Sequence, residues 1–247
     1  MKNLKNVIKE GLADWDEGDF EKSIKKETSK SAIKKYIIDW LEENCSYKIF
    51  KSKIKFDTST TPWTLNYDDS IIFNNGITKL TNGLFQWGNV ECEFRITHSN
   101  LESLEDCPKY VGGFDCSHSI HLKSLEGAPE VYGPFNCSHC KNLKSLEGCP
   151  NKVDRFNCSD CDNLTSLEGG PKEANDFKCS YCKNLKSLKG VPNIITNNFD
   201  CMHCENIRSL KYAPSKVNGS FWCGHCGTKF TKEDVKNISD VKGIIIC

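Results

Sequence analysis

The stretch FNCSHCKNLKSLEGCPNKVDR, residues 135–155, is followed without a break by FNCSDCDNLTSLEGGPKEAND and then FKCSYCKNLKSLKGVPNIITNN. These are three copies of one unit. Their phenylalanines belong to a column of Phe114, Phe135, Phe156, Phe177, Phe199 and Phe221, with steps of 21, 21, 21, 22 and 22 residues. Two residues on runs a column of Cys116, Cys137, Cys158, Cys179, Cys201 and Cys223. Leu122, Leu143, Leu164, Leu185 and Ile207 follow, and three residues later Leu125, Leu146, Leu167, Leu188 and Leu210. Prolines 108, 129, 150, 171, 192 and 214 close the pattern. A degenerate copy, FRITHSNLESLEDCP, begins at Phe94, and a fainter one, IIFNNGITKLTNGL, at Ile71. Phe and Cys at i and i+2 share one face of a short strand. The leucines follow on the arc that turns away, and Gly-x-Pro halts regular structure. No single unit can bury Phe, Cys and two Leu alone, whereas stacked units share a continuous core. The chain therefore reads as a solenoid.

The pattern F-x-C-x-x-C-x-x-L-x-x-L resembles the leucine-rich repeat in its cysteine-containing form, over roughly residues 71–226. It departs from that family in having Phe and Cys where the family mostly has Leu. The units with NLKSLEG-x-P, together with ITKLTNGLFQWGNV, resemble leucine-rich-repeat proteins of tailed bacteriophages. That resemblance implies a phage or prophage source and carries no activity with it. The expected fold is α+β of the repeat class: a leucine-rich-repeat-like solenoid of 21–22-residue units, an N-terminal helix plus β cap and a short C-terminal cap. The expected organisation is residues 1–19 as peptide and linker, 20–70 as helix and β cap, 71–226 as solenoid and 227–247 as C-terminal cap.

The flanks carry their own signals. Ile33, Tyr36, Ile37, Trp40 and Leu41 have helical spacing, with Thr28 or Ser29 as cap. YKIFKSKIKF and WTLNYDDSIIF, within residues 47–73, read as strands. Thr231 and Asp234 form a capping-box pattern that opens a short helix, and GIIIC reads as a last strand. In residues 1–15, Leu4, Val7, Ile8 and Leu12 make one apolar helical face. MKNLKNVIKEGL also resembles the capsid-targeting peptides of T-even-like phages, which implies cleavage after Ile8-Lys9-Glu10.

Lys plus Arg and Asp plus Glu both total 33, so no excess of positive charge points to nucleic acid or anionic lipid. The N-terminus has no secretory pattern and no apolar run is long enough for a membrane span. Sixteen cysteines in such a chain argue for a reducing compartment, here the host cytoplasm, with packaging in a phage head as an extension.

Five CxxC pairs invite three readings. In the first, Cys116 to Cys223 are a buried apolar column, and Cys140, Cys161, Cys182, Cys204 and Cys226 satisfy backbone groups inside the turn, a role Ser119 can also fill. In the second, Cys137, Cys140, Cys158, Cys161, Cys179, Cys182, Cys201, Cys204, Cys223 and Cys226 supply Zn ligands, since C-x2-C-x17-C-x2-C fits a four-cysteine site. In the third, Trp222-Cys223-Gly224-His225-Cys226 is the active-site string of a disulfide isomerase. That chemistry needs a helix N-terminus at the first cysteine, and the string sits instead in the register of Asn136-Cys137-Ser138-His139-Cys140. The first reading accounts for every unit at once.

Between the cysteines lies a polar column of His118, His139, Asp160, Tyr181, His203 and His225. On the strand, the residue between Phe and Cys points outward: Asp115, Asn136, Asn157, Lys178, Asp200 and Trp222, with Arg155, Asp176, Asn198 and Met202 beside them. Trp, Tyr and Arg are frequent interface anchors, and solenoids bind along such extended faces. No serine–histidine–acid set, no G-x-x-x-x-G-K-[ST] and no G-x-G-x-x-G appears in the sequence. The expectation is a non-enzymatic protein that binds a host or phage protein on its concave strand face through Asp115, Asn136, Arg155, Asn157, Lys178, Asp200 and Trp222, without a cofactor.

Overall fold

A computed structural model describes residues 30–247. The readings for residues 1–19, for the cleavage motif at Ile8–Glu10 and for a cap at Thr28 or Ser29 lie outside the described residues. The chain winds into a β-solenoid of about nine turns of roughly 21 residues, with little helix. Successive turns stack their strands in parallel and in register. Phe135 pairs with Phe114 and Phe156, Phe177 with Phe156 and Phe199, and Phe221 with Phe199 and Ile245.

Each turn carries two strand segments on the sheet, not one. A first segment buries a column of Val111, Val131, Val153, Ala174, Ile195 and Val217, and a second buries the Phe column. The spacing between them sets their continuity. Where Val or Ala precedes Phe by three residues, one strand runs through: β5 (Tyr110–Asp115), β8 (Lys152–Asn157) and β9 (Glu173–Lys178). Where the spacing is four, the extra residue is absorbed as a register shift within one strand at Val90 and Phe94, and in the later turns it breaks the turn into two short strands. These are β6 (Glu130–Val131) with β7 (Phe135–Asn136), β10 (Ile194–Ile195) with β11 (Phe199–Asp200), and β12 (Lys216–Val217) with β13 (Phe221–Trp222). The same spacing of four gives β14 (Asp240–Val241) with β15 (Ile245–Ile246), so the parallel ladder runs past Cys226 to Ile246. The faint unit at Ile71 is a real turn. Its strand β3 (Ile71–Ile72) pairs with the end of β4 (Phe85–Arg95), aligning Ile71 with Phe94, and Phe73, Ile77 and Leu80 are buried.

Inside, the Phe rings stack at 4.9–6.3 Å from Phe94 to Phe221, and both Leu columns are buried. The tight return after each second leucine depends on Gly127, Gly148, Gly169 and Gly190, all at positive φ and pressed against the backbone of the turn below. A helix, α1 (Lys30–Asn44), buries Ile33, Ile37 and Leu41, and its Trp40 meets Phe73 and Phe85 edge-on. The antiparallel pair β1 (Ile54–Asp57) and β2 (Trp63–Tyr67) joins the sheet where β2 runs parallel to β4. After the last cysteine pair, α2 (Lys232–Lys236) replaces the leucine arc. Its N-terminus is closed by the Thr231–Asp234 capping box, and Phe230 and Val235 supply the core contacts.

Candidate binding face and its side-chain ladders

The two cysteines of each CxxC pair have different jobs. The first column lies wholly inside, and burial pushes the Cys137, Cys158 and Cys179 thiols well above their ordinary pKa. The second column donates S–H to a carbonyl one turn earlier: Cys140 to Cys116 at 3.3 Å, Cys161 to Cys137 at 3.2 Å, Cys182 to Cys158 at 3.2 Å, Cys204 to Cys179 at 3.1 Å and Cys226 to Cys201 at 3.3 Å. Ser119 makes the equivalent bond to Ile96 O at 3.2 Å. The thiols therefore satisfy carbonyls that would otherwise be orphaned inside the coil. Among the described residues, no three His, Cys, Asp or Glu side chains converge on a point where a metal could sit. The ten thiols do not fit a four-thiolate zinc centre, whose ligands must close around one ion. Cys223 directly follows β13, buried and with its thiol pKa raised by desolvation, the reverse of an activated disulfide-exchange thiol.

Between the cysteines the chain turns a corner in the left-handed region at His98, His118, His139, Asp160, Tyr181, His203 and His225, with φ between 54° and 61°. Few non-glycine residues accept that backbone, and His and Asp are among those that do. The corners from His98 to His203 also donate their N–H to the next turn, as His118 does to Ser138 O and His139 to Ser159 O. The side chains form a row along the edge. His98, His118 and His139 stack at 4.3 Å per step, and Tyr181, His203 and His225 at 4.4 and 4.5 Å. Asp160 joins the two stretches, its carboxylate 3.7 Å from His139 Nε2. Parallel rings direct their nitrogen lone pairs side by side, so they do not converge on a shared ion.

The structure brings Asp115, Asn136, Asn157, Lys178, Asp200 and Trp222 into one in-register row, with Arg155 on the row before it, paired with Asp176. Four of these side chains already serve the backbone. Asp115, Asn136, Asn157 and Asp200 accept from the N–H two residues on, at 3.0–3.1 Å, and hold the corner as Asx turns. Arg155 and Lys178 extend into solvent, and Trp222 is half-buried.

Sequence reasoning missed a second surface, over the first strand segments. A shallow hollow of about 1020 Å³ has Val131, Val153 and Ala174 beneath it. Ala174 stands where other turns have Val or Ile. Tyr132, 78 % exposed, and Ile194, 51 % exposed, stand at either side, and Tyr132 stacks with Tyr110 at 6.3 Å. Lys152 and Glu173 form an ion pair at 3.1 Å on the same surface, and Asn175 donates to Asp154 at 2.7 Å. The pattern EVYG–KVDR–EAND–IITN was a legible signal for this surface once the Val column was known. Among the described residues no helix is long and apolar enough to cross a membrane. No family model matches the chain, no curated protein is similar to it, and no solved structure matches its fold.

Proposed function

We propose that this chain is a non-enzymatic protein-binding solenoid, leucine-rich-repeat-like and phage-encoded, that holds a host or phage protein on its strand face in the bacterial cytoplasm. The observation that carries the reading is the exposed apolar pair Tyr132 and Ile194 flanking the hollow. Large apolar side chains at the rim of a concavity, ringed by polar groups, are what an interface core needs. Asp154, which lines the hollow, is paired with Arg155 at 3.6 Å, so a charged fork adjoins it. Lys178 and Trp222 extend the same sheet toward the C-terminal turns.

The test is capture of a partner from infected or lysogenic bacterial cells, with recovery quantified by mass spectrometry. Tyr132→Ala combined with Ile194→Asp lowers recovery at least about tenfold, the effect of removing a hot spot, with an unchanged far-ultraviolet spectrum. Loss of capture by Lys178→Ala and Trp222→Ala instead moves the site to the second strand segments. Unchanged capture by both pairs of variants counts against binding on the strand face.

A further inference from the structure

The first cysteine column ends in an arrangement that its interior members do not share. Cys223 follows β13 and Cys247 follows β15, and these strands are in register, so the two cysteines face each other across adjacent turns. Cys223 N–H donates to Ile246 O at 2.8 Å, which fixes the backbones side by side. The two Sγ atoms are 3.5 Å apart. Neighbouring parallel strands lie about 4.8 Å apart, inside the Cα separation that a disulfide spans. Cys116, Cys137, Cys158, Cys179 and Cys201 stack with the same register but are sealed in the core. Cys247 is exposed, so here alone along the column an oxidant reaches one sulfur while the second waits behind it.

We propose that Cys223 and Cys247 are a redox modification site, closed by peroxide into a disulfide that ties the last turn to the one before it. Hydrogen peroxide first oxidises the Cys247 thiol to a sulfenic acid, and one water is released. The Cys223 sulfur then attacks the Cys247 sulfur and the S–S bond forms. The S–OH bond breaks, and the hydroxyl leaves with the Cys223 proton as a second water. Two thiols lose two electrons in total and one peroxide gains them. Cys223 is buried behind Cys247, so peroxide meets Cys247 first, and the 3.5 Å separation of the two sulfurs makes Cys223 the group that resolves the oxidised partner. The link closes a loop that contains α2 and the short strands β14 and β15, elements held by few paired residues.

The experiment treats the full reduced chain with a modest excess of hydrogen peroxide at neutral pH, blocks remaining thiols and maps peptides. The expected product is one intramolecular link joining Cys223 to Cys247, reversed by dithiothreitol. Amide exchange over residues 240–246 then slows by about tenfold or more, because the link restrains local opening. Cys247→Ser removes the link and the slowing. Cys92→Ser, which deletes the other exposed thiol, leaves both intact. Recovery of Cys247 as sulfinic or sulfonic acid with Cys223 still reduced overturns the proposal. So does a crosslink between chains in place of the internal one, or an internal link that persists in Cys247→Ser.

Discussion

The imidazoles of His118 and His139 lie face to face, 4.3 Å between centroids and 8° from parallel. His98 continues the stack on the other side of His118. Burial, followed by the two neighbouring imidazoles, lowers the His118 pKa, against the opposing pull of Asp115 and Asp160. The unfolded chain therefore takes up a proton at this position at a higher pH than the folded chain does. Stability from this group is fully present above the unfolded value of about 6.5 and is lost as pH falls through the lower folded value. The melting temperature is expected to fall between pH 7.5 and pH 5.0. His118→Asn, which keeps a residue tolerant of the left-handed corner, reduces that fall. An equal fall in the variant assigns the acid sensitivity to other groups.

Serine separates the two cysteine columns. Cys161→Ser keeps a donor to the Cys137 carbonyl, as Ser119 does for Ile96, and costs at most about 1 kcal/mol. Cys137→Ser buries a hydroxyl in an apolar column and costs about 1–3 kcal/mol. Denaturant titration of both variants measures the difference. Equal losses would show that the S–H···O bonds do not set the role of the second column.

Gly148 has φ of 90°, and a Cβ there would lie 2.4 Å from Glu126 N and Leu125 C. Neither backbone atom can move without opening the turn below. Gly148→Ala is expected to destabilise by about 2–3 kcal/mol, lowering the melting temperature by about 5–10 °C. An unchanged melting curve would mean that the return loop has room to rearrange.

Metal analysis checks the thiol assignment directly. Protein purified under reducing conditions is expected to carry no stoichiometric zinc, and a chelator is expected to leave the melting curve unchanged. One or two zinc ions per chain, with melting on chelation, would require the CxxC pairs to be ligands.

The Phe, Cys and Leu columns were legible because each repeats at a nearly constant step and each is buried as that periodicity requires. The Val column was harder to see. Its distance to Phe varies between three and four residues, as in Val153–Phe156 and Ile195–Phe199, so it drifts against the 21-residue frame. Without it, the hollow under Tyr132 and Ile194 had no visible floor. The polar column from His118 to His225 was visible as residue types. Its stacking was not, because it depends on a left-handed backbone that residue types other than glycine do not announce. The Asx turns at Asp115 and Asn136 did have a signal, an Asp or Asn two residues before Ser. That signal identifies three of the residues expected to face a partner, Asp115, Asn136 and Asn157, as braces for their own backbone, and Asp200 does the same before Met202 without it.

The in-register ladder also gives the protein a mechanical character. Its inter-turn hydrogen bonds point along the solenoid axis, so tension applied along that axis loads the turns in series. Each released turn frees roughly 21 residues, about 65 Å of extended chain after its folded rise is subtracted. Turns broken into two short strands, such as β10 with β11, would give way before the continuous β8 and β9. Extension would then proceed as a sawtooth of near-equal steps, with the yield order written in the spacing between Val and Phe.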